Sequence, residues 1–170
     1  MKRKTFLMAI AAAIVFHSCN TVSKSADNKK QKDPGGSITA VVVEQDVPYT
    51  TAQRYFVNNT YHDGDLVNPK ITTHTEFEKF FGAAPVMGKN GQPTSIDFSK
   101  QYIVAVMGKL TDRNTSININ SLKQKDNVIL LNYKVTEGEK ESATIRPVLI
   151  IIVDNKYQGE IKLVKSSGKN

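Results

Sequence analysis

The residues able to do acid–base, nucleophilic or metal chemistry are few and scattered. Three histidines occur, and His17 falls in an apolar N-terminal segment, which leaves His62 and His74 for such work. The run His62-Asp63-Gly64-Asp65 would offer three ligands to a metal, or the acid and base of a hydrolase, if further acids converged on it from elsewhere. Working sites of that kind draw on several elements, whereas this run, with Asn68 and Pro69 after it, has the composition of an exposed turn and is read as one. His74 stands just ahead of an expected helix start, where polar residues cap and solvate. Glu137, Glu139 and Glu141 alternate with Gly138, Lys140 and Ser142, so three carboxylates would share one side of an extended strand. That run is read as a hydrated hairpin tip.

No nucleophile has its partners. Ser99, Ser116 and Ser142 lie outside any Gly-x-Ser-x-Gly elbow. Gly88-Lys89-Asn90-Gly91 has the glycines and lysine of a phosphate loop, but not its Gly-Lys-Ser/Thr ending or its strand–helix setting. No catalytic residue, metal ligand or cofactor-binding residue is assigned, and no cofactor is expected.

Cys19, the single cysteine, carries a different chemistry. Lys2, Arg3 and Lys4 precede an apolar stretch over residues 6–16, and Phe16-His17-Ser18 leads into Cys19. This is the layout of a secretory signal over residues 1–18, too short to span a bilayer. A small residue before the cysteine resembles the lipobox of bacterial lipoproteins, in which the thiol is acylated. At about 0.8 kcal/mol per buried methylene, several acyl chains hold the protein at a membrane permanently. The expected address is the cell envelope, lipid-anchored through Cys19 and facing the periplasm from the outer membrane.

With the signal removed, 20 basic residues face 16 acids and the formal charge falls from +7 to +4. Half of that sits in residues 20–37, a Ser-, Asn- and Lys-rich stretch ending in Pro34-Gly35-Gly36, read as a flexible tether with a root-mean-square span of roughly 23 Å. The charge left for the rest is too weak for nucleic-acid binding. With no second cysteine, stability must come from a core rather than disulfides. Residues 38–165 form one globular domain of ordinary size, and 166–170 a disordered tail.

Within that domain, residues 38–43 and 54–58 read as strands and 59–70 as an exposed loop. Thr75 with Glu78 makes a capping box for a short helix over 75–81, with Phe77, Phe80 and Phe81 on one face and Gly82 as its stop. The uninterrupted apolar run 102–107 predicts a central strand covered on both faces. Residues 116–122 and 128–135 alternate and form a hairpin around Lys125-Asp126-Asn127. A turn at Glu137-Gly138-Glu139 leads into a strand over 143–153, where Pro147 implies an edge position or a bulge. Residues 160–164 close the set. The fold class is α+β and β-dominated, a mostly antiparallel sheet or small sandwich with one short amphipathic helix packed on it.

Two blocks give a resemblance: Ile71-Thr-Thr-His-Thr-Glu-Phe-Glu-Lys-Phe-Phe-Gly82, and Ile96-Asp-Phe-Ser-Lys-Gln-Tyr-Ile-Val-Ala-Val-Met-Gly108. Together with the hairpin and Arg146-Pro147, they resemble the C-terminal domain family of PrcB, the lipoprotein subunit of an envelope protease complex, over residues 71–164. The resemblance implies a non-enzymatic protein-binding module, an accessory or stabilising subunit of a protease. Where many members of that family have a Gly-rich aromatic turn, this chain has Leu110-Thr-Asp-Arg-Asn-Thr115. Asp112, Arg113 and Asn114 are therefore the candidates for partner contact. Asp97 and Ser99 have a local role without the family, since both bond nearby backbone N–H groups and fix the start of the central strand. Other readings stay open: a protease inhibitor presenting residues 86–95, a carbohydrate or small-ligand module using exposed tyrosines, or a hydrolase around His62, Asp63 and Asp65.

Overall fold

Strands that are apolar at every position and strands that are apolar at every second position separate into two sheets. The computed structural model describes residues 43–167; the signal, Cys19, the tether and all but the last residue of the expected strand at 38–43 lie outside them. In chain order the elements are β1 (Gln45–Asp46), β2 (Tyr49–Thr51), β3 (Tyr55–Val57), β4 (Lys70–Ile71), α1 (His74–Phe80), β5 (Phe81–Ala83), β6 (Gln101–Met107), β7 (Thr111–Lys125), β8 (Val128–Ile145), β9 (Val148–Asp154) and β10 (Glu160–Lys165). The protein is β-dominated, as its composition and patterning predict.

One sheet has the order β1-β7-β8-β10 and the other β2-β9-β6-β4, while β3 and β5 pair separately. Pairing is antiparallel except for β10, which lies parallel to β8. The chain leaves β8 for β9 in the other sheet before returning, so β10 arrives in the same direction as β8.

The continuous apolar strands are the two at the centre of the second sheet. Tyr102, Val104 and Val106 on β6 and Leu149, Ile151 and Val153 on β9 face the first sheet, meeting Ile117, Leu122, Ile129 and Leu131. Ile103, Ala105, Ile150 and Ile152 point the other way, onto Ile71, Phe77 and Phe81. The prediction of a strand covered on both faces holds, and β9 shares the property. The first sheet has one wet face, which is why β7 and β8 alternate.

The helix, His74–Phe80, lies one residue before the sequence reading, and its cap lies two residues before. Thr73, not Thr75, is its N-cap: the Thr73 hydroxyl accepts the Glu76 N–H at 3.2 Å, and a Glu76 carboxylate oxygen accepts the Thr72 N–H at 3.4 Å. Both threonines have a glutamate three residues on; starting at Thr73 places Phe77 in the core and sets His74 against Glu78, with Nε2 and Oε1 3.2 Å apart. Gly82 is not the stop either. Phe81 already has extended angles and opens β5, in which Gly82 lies opposite Phe56. A Cβ on Gly82 would stand 2.4 Å from the Phe56 ring, so the glycine makes room for that ring.

Three further expectations are corrected. Glu137-Gly138-Glu139 is not a turn, because β8 continues through it paired to β7, with a shift of register between Glu137 and Lys140. The stretch after Gly108 is likewise strand from Thr111 onward. Pro147 is neither at an edge nor in a bulge: it precedes β9, a central strand, at the two-residue corner where the chain changes sheets, and its carbonyl accepts the Gly108 N–H at 2.8 Å. Among the described residues no helix is long and apolar enough to cross a membrane.

Candidate protein-docking site

The β7–β8 hairpin is much longer than the core beneath it. From Asp126-Asn127 it runs back past the last buried pair and continues as a two-stranded ribbon of residues 111–116 and 136–145, in which every residue of the β8 half is exposed. The ladder is irregular there. Between the Arg113–Lys140 and Thr111–Ile145 pairs β8 has three residues more than β7, and between Thr115–Glu137 and Arg113–Lys140 it has one more. Each surplus is a bulge that bends and twists the ribbon.

Asp112, Arg113 and Asn114 all lie on this ribbon, on its β7 side. Asp112 pairs with Lys140 at 3.1 Å, and Arg113 donates to the Gly138 carbonyl at 3.2 Å. Exposed pairs of this kind contribute about 0 to 1 kcal/mol each, so the ribbon is held mainly by its backbone ladder. Glu137, Glu139 and Glu141, expected at a hairpin tip, are mid-strand instead. Among the described residues none of the three is in an ion pair.

Both edges of the hairpin are open at this end. On the β7 side, β1 covers only Lys123 and Gln124, with one more bond from the Val47 N–H to the Leu122 carbonyl. On the β8 side, β10 stops where Lys165 meets Tyr133. The uncovered part of β7 from Asn114 to Ser121 has neither charge nor proline, the devices by which exposed edges are normally blunted.

Where the ribbon leaves the core, the two sheets separate around a cleft of about 410 Å3. Its walls are Val106, Ile117, Val135 and Pro147, with Tyr133 beside them. Lys109, Lys165 and Glu137 stand at its rim, and the Thr115 hydroxyl, buried there, makes no hydrogen bond. The corner below is fixed by Arg146, whose side chain is 11% exposed. It pairs with Asp63, donates to the Gly108 carbonyl at 2.9 Å and lies 4.9 Å from the centre of the Tyr61 ring.

The other candidate sites do not assemble. Asp63 is engaged by Arg146, His62 is exposed beside Asp65 at 3.6 Å, and among the described residues no three His, Cys, Asp or Glu side chains are grouped to hold a metal. His74 is the first residue of α1, and its partner is Glu78 rather than a hydroxyl nucleophile. Ser99 donates through both its N–H and its hydroxyl to the Asp97 carboxylate, fixing the start of β6 as expected. Those bonds, the hydroxyl's first, and neighbouring Lys100 hold the Asp97 carboxyl below its usual range. The tyrosines form no exposed cluster: Tyr102 is fully buried, Tyr55 bonds the Thr94 carbonyl, and only Tyr49 is open. Loop 86–95 is tied within itself by the Val86 N–H on the Gly91 carbonyl and from outside by Arg54 Nε on the Asn90 carbonyl, and it leaves Met87 wholly exposed.

Lys109, Val135 and Lys165 were not singled out in the sequence, and Tyr133 was considered only as a ligand-binding tyrosine, although the alternation through 115–119 and 131–135 indicates which residues point inward. Compared with protein-family models, with curated proteins and with solved structures, the chain matches none.

Proposed function

We propose that this chain is a non-enzymatic envelope lipoprotein, anchored through Cys19, whose domain binds another protein, and that it serves as an accessory or stabilising subunit of a protease complex. The observation that carries the reading is the ribbon: ten consecutive β8 residues, 136–145, are exposed while paired only to β7, which is itself uncovered on its far side. An isolated two-stranded ribbon is marginal in water by itself, and open edges invite a further chain. The resemblance of residues 71–164 to the PrcB family supplies the protease as the kind of partner. The inhibitor reading has its own support in Met87, held at the tip of an internally bonded loop.

The test is affinity capture from native envelopes with tagged wild type, with Cys19→Ala, and with a ribbon variant carrying Arg113→Glu and Lys140→Glu. Wild type is expected to recover one protease in near-equal amount and the ribbon variant to lose it while keeping its unfolding midpoint. Equal recovery by the ribbon variant rejects the ribbon as the docking site; no partner with wild type rejects the reading. Sustained proteolysis in the captured complex marks a subunit, and suppressed proteolysis an inhibitor.

A further inference from the structure

Resting on that protein-binding reading, we infer that the partner contributes an extended acidic segment, which adds as a strand to the free edge of β8 beyond the end of β10 and sets one apolar side chain into the cleft. Successive residues of a strand turn their main-chain groups to opposite edges. The carbonyls of Asn127 and Tyr133 accept the N–H groups of Glu160 and Ser166, so odd-numbered residues of β8 face the β10 edge. Val135 is the next of these. Its N–H and carbonyl point to an edge where β10 has ended, and among the described residues no backbone group meets them. An incoming segment continues the line of β10 and finds a ladder already begun.

The cleft lies beneath that same stretch of edge. Tyr133 and Val135 line it on β8, and Thr115 and Ile117 line it on β7. A strand laid along Val135 projects alternate side chains inward, and the first of them meets this cleft, which has apolar walls at Val106, Ile117, Val135 and Pro147 and a polar rim, and whose volume of about 410 Å3 is within the range of side-chain and ligand pockets. Main-chain bonds to an edge with a pocket for alternate side chains are the means by which strand addition combines affinity with selectivity.

Charge selects the segment. Lys109 and Lys165 at the rim are in no ion pair among the described residues, and Glu137 is the one carboxylate lining the cleft beside them. An acidic residue flanking the apolar anchor answers the two rim lysines.

Two full-length variants test this in the same capture. Val135→Pro removes the outward N–H without touching the bonds to β7, and is tolerated where that N–H faces solvent. Lys109→Glu with Lys165→Glu reverses the rim. Each is expected to lower partner recovery at least tenfold, and random nine-residue peptides displayed on phage and selected on wild type should be enriched in an apolar residue next to Asp or Glu. On binding such a peptide, the amide of Val135 should gain hydrogen-exchange protection. If the ribbon variant loses the partner but both of these keep it, or if protection appears at Ile117 and Ile119 on the β7 edge, this mode is wrong while the protein-binding reading stands. Loss by the lysine pair alone, with Val135→Pro and the Val135 amide unaffected, also overturns strand addition.

Discussion

The centre of the second sheet and the far end of the β7–β8 hairpin are both β structure, but different forces hold them. On β6 and β9 each residue from 102 to 106 and from 149 to 153 is buried, and the strands stand because apolar area is removed from water on both faces. Along the ribbon almost nothing is buried, and the strands stand because register continues from the core outward. Strand geometry alone therefore does not distinguish a buried scaffold from an exposed ribbon; what each side chain touches does.

The largest test of that difference is Ile151→Ala, at a fully buried position between two layers, which should cost about 3 to 5 kcal/mol in urea unfolding. A result under about 1 kcal/mol would mean the layers close over the gap and are far softer than they look.

A sharper test uses Tyr102, also in the central strand and fully buried, whose hydroxyl makes no hydrogen bond and whose pKa is pushed up to about 12 by burial. The folded pKa is raised above the ordinary value of 10.0, so its contribution is complete below pH 10 and is lost as pH rises towards 12. By pH 11 wild type should have lost about 1.4 kcal/mol through this group, and Tyr102→Phe should be spared that loss. Denaturant titrations of both proteins from pH 8 to 11 read the difference; parallel curves would show that the ring is not shielded from water. Tyr55, raised in the same direction by burial, is common to both proteins and cancels.

The smallest effect belongs to the ribbon. Glu139→Gln with Glu141→Gln should move stability by less than about 0.5 kcal/mol, because neither carboxylate is paired. A shift above 1 kcal/mol in the unfolding midpoint would reveal that the ribbon is energetically part of the core.

The same contrast explains what the sequence made legible. The run 102–107 and the alternation at 116–122 and 128–135 are local patterns, and a core face or a wet face follows from them directly. The helix was placed one residue late and its cap two residues late, since Thr73 and Thr75 each have a glutamate at the right spacing and only the packing of Phe77 chooses between them. The ribbon was misread at both strands: Glu137-Gly138-Glu139 has turn composition, and it is extended only because Thr115 and Arg113 across the ladder require it. Asp112, Arg113 and Asn114 were found through a family likeness rather than through chemistry. The cleft was invisible because it exists where two sheets diverge, and no short stretch of residues records that.

β7 also joins two places that matter for different reasons. Val43 lies two residues before Gln45, which pairs with Gln124 one residue short of the end of β7; the ribbon occupies the other end of the same strand, and its far residue, Thr111, is roughly 43 Å away at 3.3 Å per residue. A pull between residue 43 and anything gripping the ribbon acts along the strand axis, across the direction of the ladder bonds. Those bonds are then strained together in shear instead of parting one after another, so the two short pairs of β1 resist as a unit and β7 works as a tie rod between the two ends of the domain.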